Sequence, residues 1–197
     1  GAKPTAADLT HFGSRDWMKS ILVDYETVFA PLKNHSDPKI ASRFLAGDMA
    51  IWSKENREAL LAPANAASLN SLLEFMAQQS GRGDLAPIDE KLAAAGREVF
   101  ITGQLAEGSL TSACIDCHSM HVRGEPKAIA INSGTGAPTL TGYAGREWLS
   151  QFLKTPGGDD YFGENNAMPA FDSLPPRELE MLVQWMTADF WTPSPKP

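Results

Sequence analysis

The segment Cys114-Ile115-Asp116-Cys117-His118 has the residue types and spacing that point most clearly to chemistry. Its two cysteines are the only ones in the sequence, and the histidine directly follows the second. A C-x-x-C-H segment is typical of covalent haem attachment, in which each thiol adds to one vinyl group of the porphyrin and the histidine binds the iron. The spacing therefore predicts one covalent haem c, with His118 as the metal ligand on the proximal side.

Other uses of a C-x-x-C segment compete with haem attachment. A thioredoxin-like redox pair requires a βαβ context, and no strand pattern precedes Cys114. A closed zinc site requires four ligands, and no second Cys/His pair has suitable spacing, His121 being the only nearby candidate. A disulfide between Cys114 and Cys117 also remains open. Haem attachment is the interpretation that the pattern favours.

The iron of an electron carrier is normally six-coordinate, so a haem bound by His118 requires a second axial ligand. The candidates are Met168, Met120, His121, Met181, Met186, His11 and His35. Met120 and His121 lie too close to His118 in sequence to reach the opposite face of the haem easily. Met181 and Met186 belong to an apolar helical stripe, where methionine usually fills a core.

Met168 is the strongest of these candidates. It lies in a predicted loop and is followed by Pro169, which stiffens a loop that must hold a soft thioether against a metal. We therefore predict Met168 as the second metal ligand, with His121 or an open sixth site as the alternatives. A His/Met pair raises the reduction potential relative to a His/His pair.

The formal net charge of −7 narrows the range of partners. Two haem propionates would make the surface more negative still, which disfavours nucleic acid and anionic membranes and suits a redox partner with a basic docking patch. No apolar run is as long as a membrane span, so we predict no span within this chain. No signal-peptide pattern opens the sequence.

The first residues, Gly1-Ala2-Lys3-Pro4, contain no methionine and are typical of a trimmed piece. C-type haem attachment takes place outside the cytoplasm. We therefore expect an extracytoplasmic protein, either periplasmic or on the outer face of a membrane, that is tethered through upstream sequence.

The elements that must position this segment are predicted to be helices, which makes the chain all-α. Helical patterns cover about 38–46, 53–61, 65–80, 88–103, 145–154 and 176–190, and a first helix follows Ser14 as its N-cap. Residues 24–37 are predicted to be irregular. Residues 122–145 are rich in Gly, Ser, Thr and Pro and predict a long loop that wraps a haem edge.

Two of these helices have features that matter for packing. The helix over about 65–80 has an apolar stripe with i, i+3, i+4, i+7 spacing, formed by Leu69, Leu72, Leu73 and Met76. The helix over about 88–103, with Asp89 as a possible cap, carries Gly96 in its middle. A glycine there costs about 1 kcal/mol relative to alanine, which predicts that another helix crosses closely at this point.

The sequence also contains an internal repeat. Residues 9–17 match residues 140–148 at a constant offset of 131, and residues 48–52 match residues 167–171 at an offset of 119. The helix at 69–76 matches the one at 179–186 at an offset of 110. Because only the second copy follows a haem-attaching segment, residues 1–80 are predicted to be the second half of the same unit, duplicated without its first half.

This repeat predicts two domains. Residues 1–86 form a helical half-repeat that lacks a haem attachment motif, and residues 87–197 form a monohaem domain. By position, Met49 would be the first copy's counterpart of Met168. It has no proximal partner in its own half, so we expect an ordinary core or surface side chain there.

Over residues 88–190 the chain resembles the class I c-type cytochromes. The resemblance is carried by Gly96-x-x-x-Phe100 before the C-x-x-C-H segment, by Pro138-Thr139-Leu140, and by Met168-Pro169. It implies a class I cytochrome c fold. It also implies that Trp185 on the last helix is the aromatic partner that crosses at Gly96.

The same resemblance implies a supporting role for Pro138 in cofactor binding. The carbonyl of this proline would accept a hydrogen bond from His118 and so orient the imidazole ring toward the iron. Cys114, Cys117, His118, Met168 and Pro138 are therefore the residues expected to bind the haem.

Residues 140–149 together with 161–171 are similar to a narrower group of cytochrome c domains. These are fused to, or act as partners of, membrane cytochrome b or oxidase subunits. The similarity implies an electron carrier rather than an enzyme, acting as a relay domain of a respiratory quinol-oxidising or oxidase complex. The alternatives are a haem peroxidase or a redox or gas sensor with a displaceable distal ligand, or a mainly structural role in which the N-terminal helices form an assembly module.

Overall fold

The computed structural model describes residues 3–132 and 136–189, and the regular elements within these ranges are helices. The α-helices are α1 (Arg15–Val23), α2 (Tyr25–Phe29), α3 (Pro38–Leu45), α4 (Asp48–Leu61), α5 (Ala66–Ser80), α6 (Glu90–Thr102), α7 (Arg146–Lys154) and α8 (Pro176–Met186). Short 3-10 helices cover Ala30–Asn34, Pro63–Asn65, Gly83–Leu85, Cys114–Asp116 and Gly163–Asn165. The predicted all-α character is confirmed. No helix in these ranges is both long and apolar enough to cross a membrane, as the sequence predicted.

The predicted helix starts at Ser14 and Asp89 are confirmed. The Ser14 hydroxyl accepts the Trp17 N–H at 3.1 Å, and the Asp89 carboxylate accepts two N–H groups from the first turn of α6. These side chains satisfy donors that have no partner inside the helix. The predicted loop over 122–145 contains no helix in its described part, and residues 133–135 lie outside the described residues.

Three parts of the chain differ from the prediction. Helix α4 begins at Asp48 rather than near residue 53, because Gly47 adopts the extended backbone of an N-cap. The stretch over 24–37, predicted to be irregular, contains α2 and a 3-10 helix in which Pro31 lies near the start, where a proline is tolerated. Helix α8 ends at Met186, and residue 190, the predicted end, lies outside the described residues.

Helix α5 is the central element of the fold. The whole predicted stripe is buried, and so are residues on its other sides: Ser71, Glu74, Phe75 and Ala77. This happens because α6 packs along one side of α5 while α1 and α4 pack against others. A helix that is buried nearly all round lies in the core of a fold rather than on its surface.

Helices α5 and α6 cross in direct backbone contact at Gly96. A Cβ atom at this position would overlap the carbonyl oxygen of Ser71. Next to the crossing, the rings of Phe75 and Phe100 lie 5.4 Å apart, and each side chain is 1% exposed. The predicted close crossing at Gly96 is therefore confirmed.

The helix that crosses at Gly96 is not the one that the resemblance implied. Trp185 of α8 is 54% exposed, and the aromatic ring that packs against Phe100 next to the crossing is Phe75 of α5. The expectation that Trp185 pairs with Gly96 is wrong, because the closing helix of the first copy occupies the site. Met181 is 58% exposed and is not the core residue that its stripe suggested.

The two copies of the repeat meet through equivalent residues. Phe12 stacks on Trp148 with ring centroids 6.4 Å apart, and Trp17 Nε1 donates a hydrogen bond to the Tyr143 hydroxyl at 3.3 Å. At the offset of 131, Phe12 corresponds to Tyr143 and Trp17 corresponds to Trp148. Each contact is therefore the counterpart of the other, which is the property of an isologous, two-fold interface.

A third contact falls on the axis of this relation. Gly13 and Ala144 also correspond at the offset of 131, and a Cβ atom on Gly13 would overlap the Ala144 side chain. Both residues have positive φ, +70° and +60° respectively. The two equivalent residues thus share a backbone conformation and contact each other.

Glu74 connects three elements of the core. Its carboxylate accepts hydrogen bonds from Arg15 Nε at 2.7 Å and Nη2 at 3.0 Å, and from the Asp89 N–H at 2.8 Å. The hydrogen bonds from Arg15 are the main cause of a lowered pKa for Glu74. Helices α1 and α5 and the start of α6 are thus joined through one buried carboxylate.

Replacing Gly96 with alanine tests the crossing. In an exposed helix this change would stabilise by about 1 kcal/mol, but here the new methyl group overlaps the backbone of α5. We expect a loss of about 2 kcal/mol in the free energy of unfolding, measured by urea denaturation. Gly83→Ala is the matched control, since a Cβ at Gly83 has nothing within 4 Å. Equal effects of the two substitutions would contradict the crossing.

Glu74→Gln tests the buried carboxylate and gives a pH signature. The folded-state pKa is depressed, so the stabilisation is present above the unfolded pKa of about 4.3 and is lost as the pH falls through the lower folded value. We expect the variant to be about 2 kcal/mol less stable at neutral pH and the difference to shrink below pH ~4. The control is Glu26→Gln, which removes an ion pair with Lys33 that is exposed on both sides. Its effect on stability is expected to be within about 0.5 kcal/mol.

Candidate cofactor site

The C-x-x-C-H segment is held in one tight turn. Cys114–Asp116 form a 3-10 helix, and the Cys114 carbonyl accepts the His118 N–H at 3.0 Å. The Asp116 carboxylate accepts the Ala113 N–H at 2.8 Å and closes the turn from its other end. These hydrogen bonds fix the arrangement in space of Cys114, Cys117 and His118 relative to one another.

The imidazole of His118 is oriented by Pro138. Nδ1 lies 2.7 Å from the Pro138 carbonyl oxygen, and because a carbonyl can only accept, Nδ1 carries the proton in this contact. Nε2 is then the ring nitrogen whose lone pair can bind a metal. The contact that the resemblance implied is present. Burial lowers the pKa of His118, which favours the neutral, metal-binding form of the ring.

Pro138 is positioned by the loop on either side of it. The Leu140 N–H donates to the Ser119 carbonyl at 2.9 Å, and Trp148 Nε1 donates to the Thr139 carbonyl at 2.8 Å. Because Trp148 belongs to the aromatic contact between the two copies, the orientation of His118 depends on packing well beyond its own turn.

The two cysteines differ in exposure, because Cys114 is half-buried and Cys117 is exposed. Burial is the largest cause of the raised pKa values of Cys114, to about 12, and of Cys117. Thiol–disulfide oxidoreductases instead lower the pKa of the attacking cysteine. The raised pKa values of Cys114 and Cys117 are shifts in the opposite direction.

Met168 lies in a loop, as predicted, and packs half-buried against the core. The side chain of Asn166 accepts the Met168 N–H at 3.0 Å and donates to its carbonyl at 2.7 Å, which stiffens this part of the loop. Its role as a metal ligand stays a prediction.

The other candidate ligands have different surroundings. Met120 is fully buried in the core and pairs through its backbone with Ala130. Met186 is also a core residue. The ring Nε2 of His121 lies 2.7 Å from the carbonyl oxygen of Glu125.

Residues of the first copy reach the site, which the sequence did not predict. Trp52 Nε1 donates to the Ser112 carbonyl at 3.0 Å. The Asn56 side chain, 1% exposed, accepts the Thr111 N–H and donates to the Thr111 hydroxyl, each at 2.8 Å. The only available signal was the repeat, which aligns residues 48–52 with the region of Met168. Helix α4 therefore supports the chain immediately before Cys114.

Within the described ranges, three or more His, Cys, Asp or Glu residues nowhere form a group that could hold a metal ion. Comparison of the chain with models of protein families, with curated proteins and with solved structures finds no match.

Replacing Asn56 with alanine tests the support from α4. The substitution removes the acceptor of the part-buried hydrogen bond from the Thr111 N–H, so we expect a loss of about 1 kcal/mol in stability and faster hydrogen exchange at the Thr111 amide. The control, Asn34→Ala, removes an exposed side chain that bonds the Pro4 carbonyl. An unchanged Thr111 amide in the Asn56 variant would contradict this role.

Proposed function

We propose that this chain is an electron-transfer protein that carries one haem c, attached through Cys114 and Cys117 and bound at its iron by His118. The observation that carries the proposal is the C-x-x-C-H turn with His118 Nδ1 2.7 Å from the Pro138 carbonyl. That hydrogen bond leaves Nε2 as the ring nitrogen for iron, as the proximal ligand of a haem requires.

The donor set fits this group. Two thiols three residues apart match two vinyl groups, and a neutral imidazole in a fixed tautomer matches iron. Half-buried apolar side chains that pack against the core, among them Ile115, Leu140 and Met168, are available to surround a porphyrin. A methionine sulfur completes the ligand set, and Met168 is the residue that the sequence predicts for it.

The proposal extends to the fold and to the domain organisation. Residues 87–197 would form a monohaem domain of the class I cytochrome c type, and residues 1–86 a half-repeat without an attachment motif. In such a fold the first helix packs against the closing helix. Here α6 is the first helix, and the helix packed on it at Gly96 is α5 of the half-repeat. The half-repeat would then complete the domain.

The haem would accept and release one electron, while the protein holds the ligands and limits their reorganisation. A relay domain of a respiratory quinol-oxidising or oxidase complex, located outside the cytoplasm, is the role that the sequence resemblance favours. The net charge of −7 suits a redox partner with a basic patch.

Expression in cells that mature c-type cytochromes tests the proposal. We expect a coloured protein whose mass exceeds that of the polypeptide by one haem, and whose haem stays bound under denaturing conditions. Cys114→Ala and Cys117→Ala should each reduce covalent attachment, because each removes one thioether bond. A colourless protein with the bare polypeptide mass would rule the proposal out. Rapid carbon monoxide binding or peroxide turnover would favour the sensor or peroxidase alternative.

A further inference from the structure

We propose that Met49 of the first copy, and not Met168, supplies the sulfur ligand on the distal side of the haem. This inference rests on the haem attachment proposed above. It makes the site a composite, in which the half-repeat contributes an iron ligand to the segment that carries Cys114, Cys117 and His118.

The first observation is the direction in which α4 presents Met49. Positions 49, 52 and 56 fall on one face of a helix, because residues three, four and seven apart lie above one another. Trp52 and Asn56 use this face to bond residues 111–112, just before Cys114. Met49, half-buried, lies one turn before Trp52 on the same face.

The second observation is that the segment around Met49 is anchored on two sides of the site. Before it, Arg43 Nη1 donates to the Glu164 carbonyl at 3.3 Å, and the rings of Phe44 and Phe162 lie 5.8 Å apart. After it, Trp52 bonds the Ser112 carbonyl. The chain from 43 to 52 therefore extends between the loop at 162–164 and the residues that lead into Cys114, with Met49 between the two anchors.

The third observation is the exchange of helices between the two copies. Met49 and Met168 are equivalent in the repeat, as are α5 and α8. The helix that packs on α6 is α5, which comes from the copy that contains Met49. The copy that packs on α6 is therefore also the copy whose α4 bonds the residues just before Cys114.

Met168 belongs to the other copy. Its loop is tied to α7 through the Phe171 N–H, which donates to the Leu153 carbonyl at 2.8 Å. The closing helix of this copy, α8, leaves Trp185 exposed, although Trp185 is the counterpart of Phe75.

The test uses the haem-loaded, reduced full chain labelled with ¹³C at the methionine methyl groups. A methyl group on an iron-bound sulfur lies over the porphyrin and is displaced strongly upfield by the ring current. We expect one such signal in the wild type. It should disappear in Met49→Leu and persist in Met168→Leu, and the exposed Met181→Leu serves as the control. Leucine keeps the side-chain volume, so that folding is retained.

The outcomes separate this inference from the function on which it rests. Loss of the shifted signal in Met168→Leu overturns the inference whatever the Met49 variant does, and so does persistence of the signal in both variants. A wild-type protein with attached haem but no shifted methyl signal also overturns it, while haem attachment stands. A mass equal to that of the bare polypeptide removes the proposed function itself. Met49→Leu is further expected to lower the reduction potential, because loss of the thioether weakens the preference for Fe(II).

Discussion

The contact on which the other features depend is the crossing of α5 and α6 at Gly96. Backbone lies directly against backbone there, so the two helices have little freedom to slide or rotate. Burial of Phe75 and Phe100 beside the crossing contributes about 2–3 kcal/mol for each ring. Because α6 leads through residues 103–113 into Cys114, this crossing helps to set where the candidate site lies relative to the first half of the chain.

The second constraint is the aromatic contact between the two copies of the repeat. A duplicated unit can pair with itself through equivalent residues, and Phe12, Trp17, Tyr143 and Trp148 do so here. Trp148 also donates to the Thr139 carbonyl, next to the proline that orients His118. The symmetry of the aromatic contact is therefore connected to the chemistry of the site through one indole N–H.

The site itself depends on hydrogen bonds that remove alternatives rather than on acid–base chemistry. The Pro138 carbonyl selects one tautomer of His118, and the 3-10 turn fixes the relative positions of the two cysteines. Side chains fixed in this way would suit the proposed function, in which little should move when an electron arrives. The hydrogen bonds from α4 to residues 111–112 also restrict this region, since they limit motion of the backbone that enters the turn.

The sequence by itself determined most of the helices, the caps at Ser14 and Asp89 and the C-x-x-C-H spacing, because each depends on neighbouring residues. Ser14 and Asp89 cap helices through groups two or three positions away, and the C-x-x-C-H spacing is a property of five consecutive residues. The glycine at position 96 also indicated that some helix crosses there.

Which helix crosses at Gly96 was decided only by the tertiary structure. Helices α5 and α8 carry the same apolar stripe, so the sequence pattern alone does not decide which of them packs against α6. The family resemblance favoured α8, because of Trp185. The choice depends on how the two copies are arranged in space, a long-range property that local periodicity does not encode. The contacts of Trp52 and Asn56 with residues 111–112 were hidden for the same reason, since they join segments more than fifty residues apart.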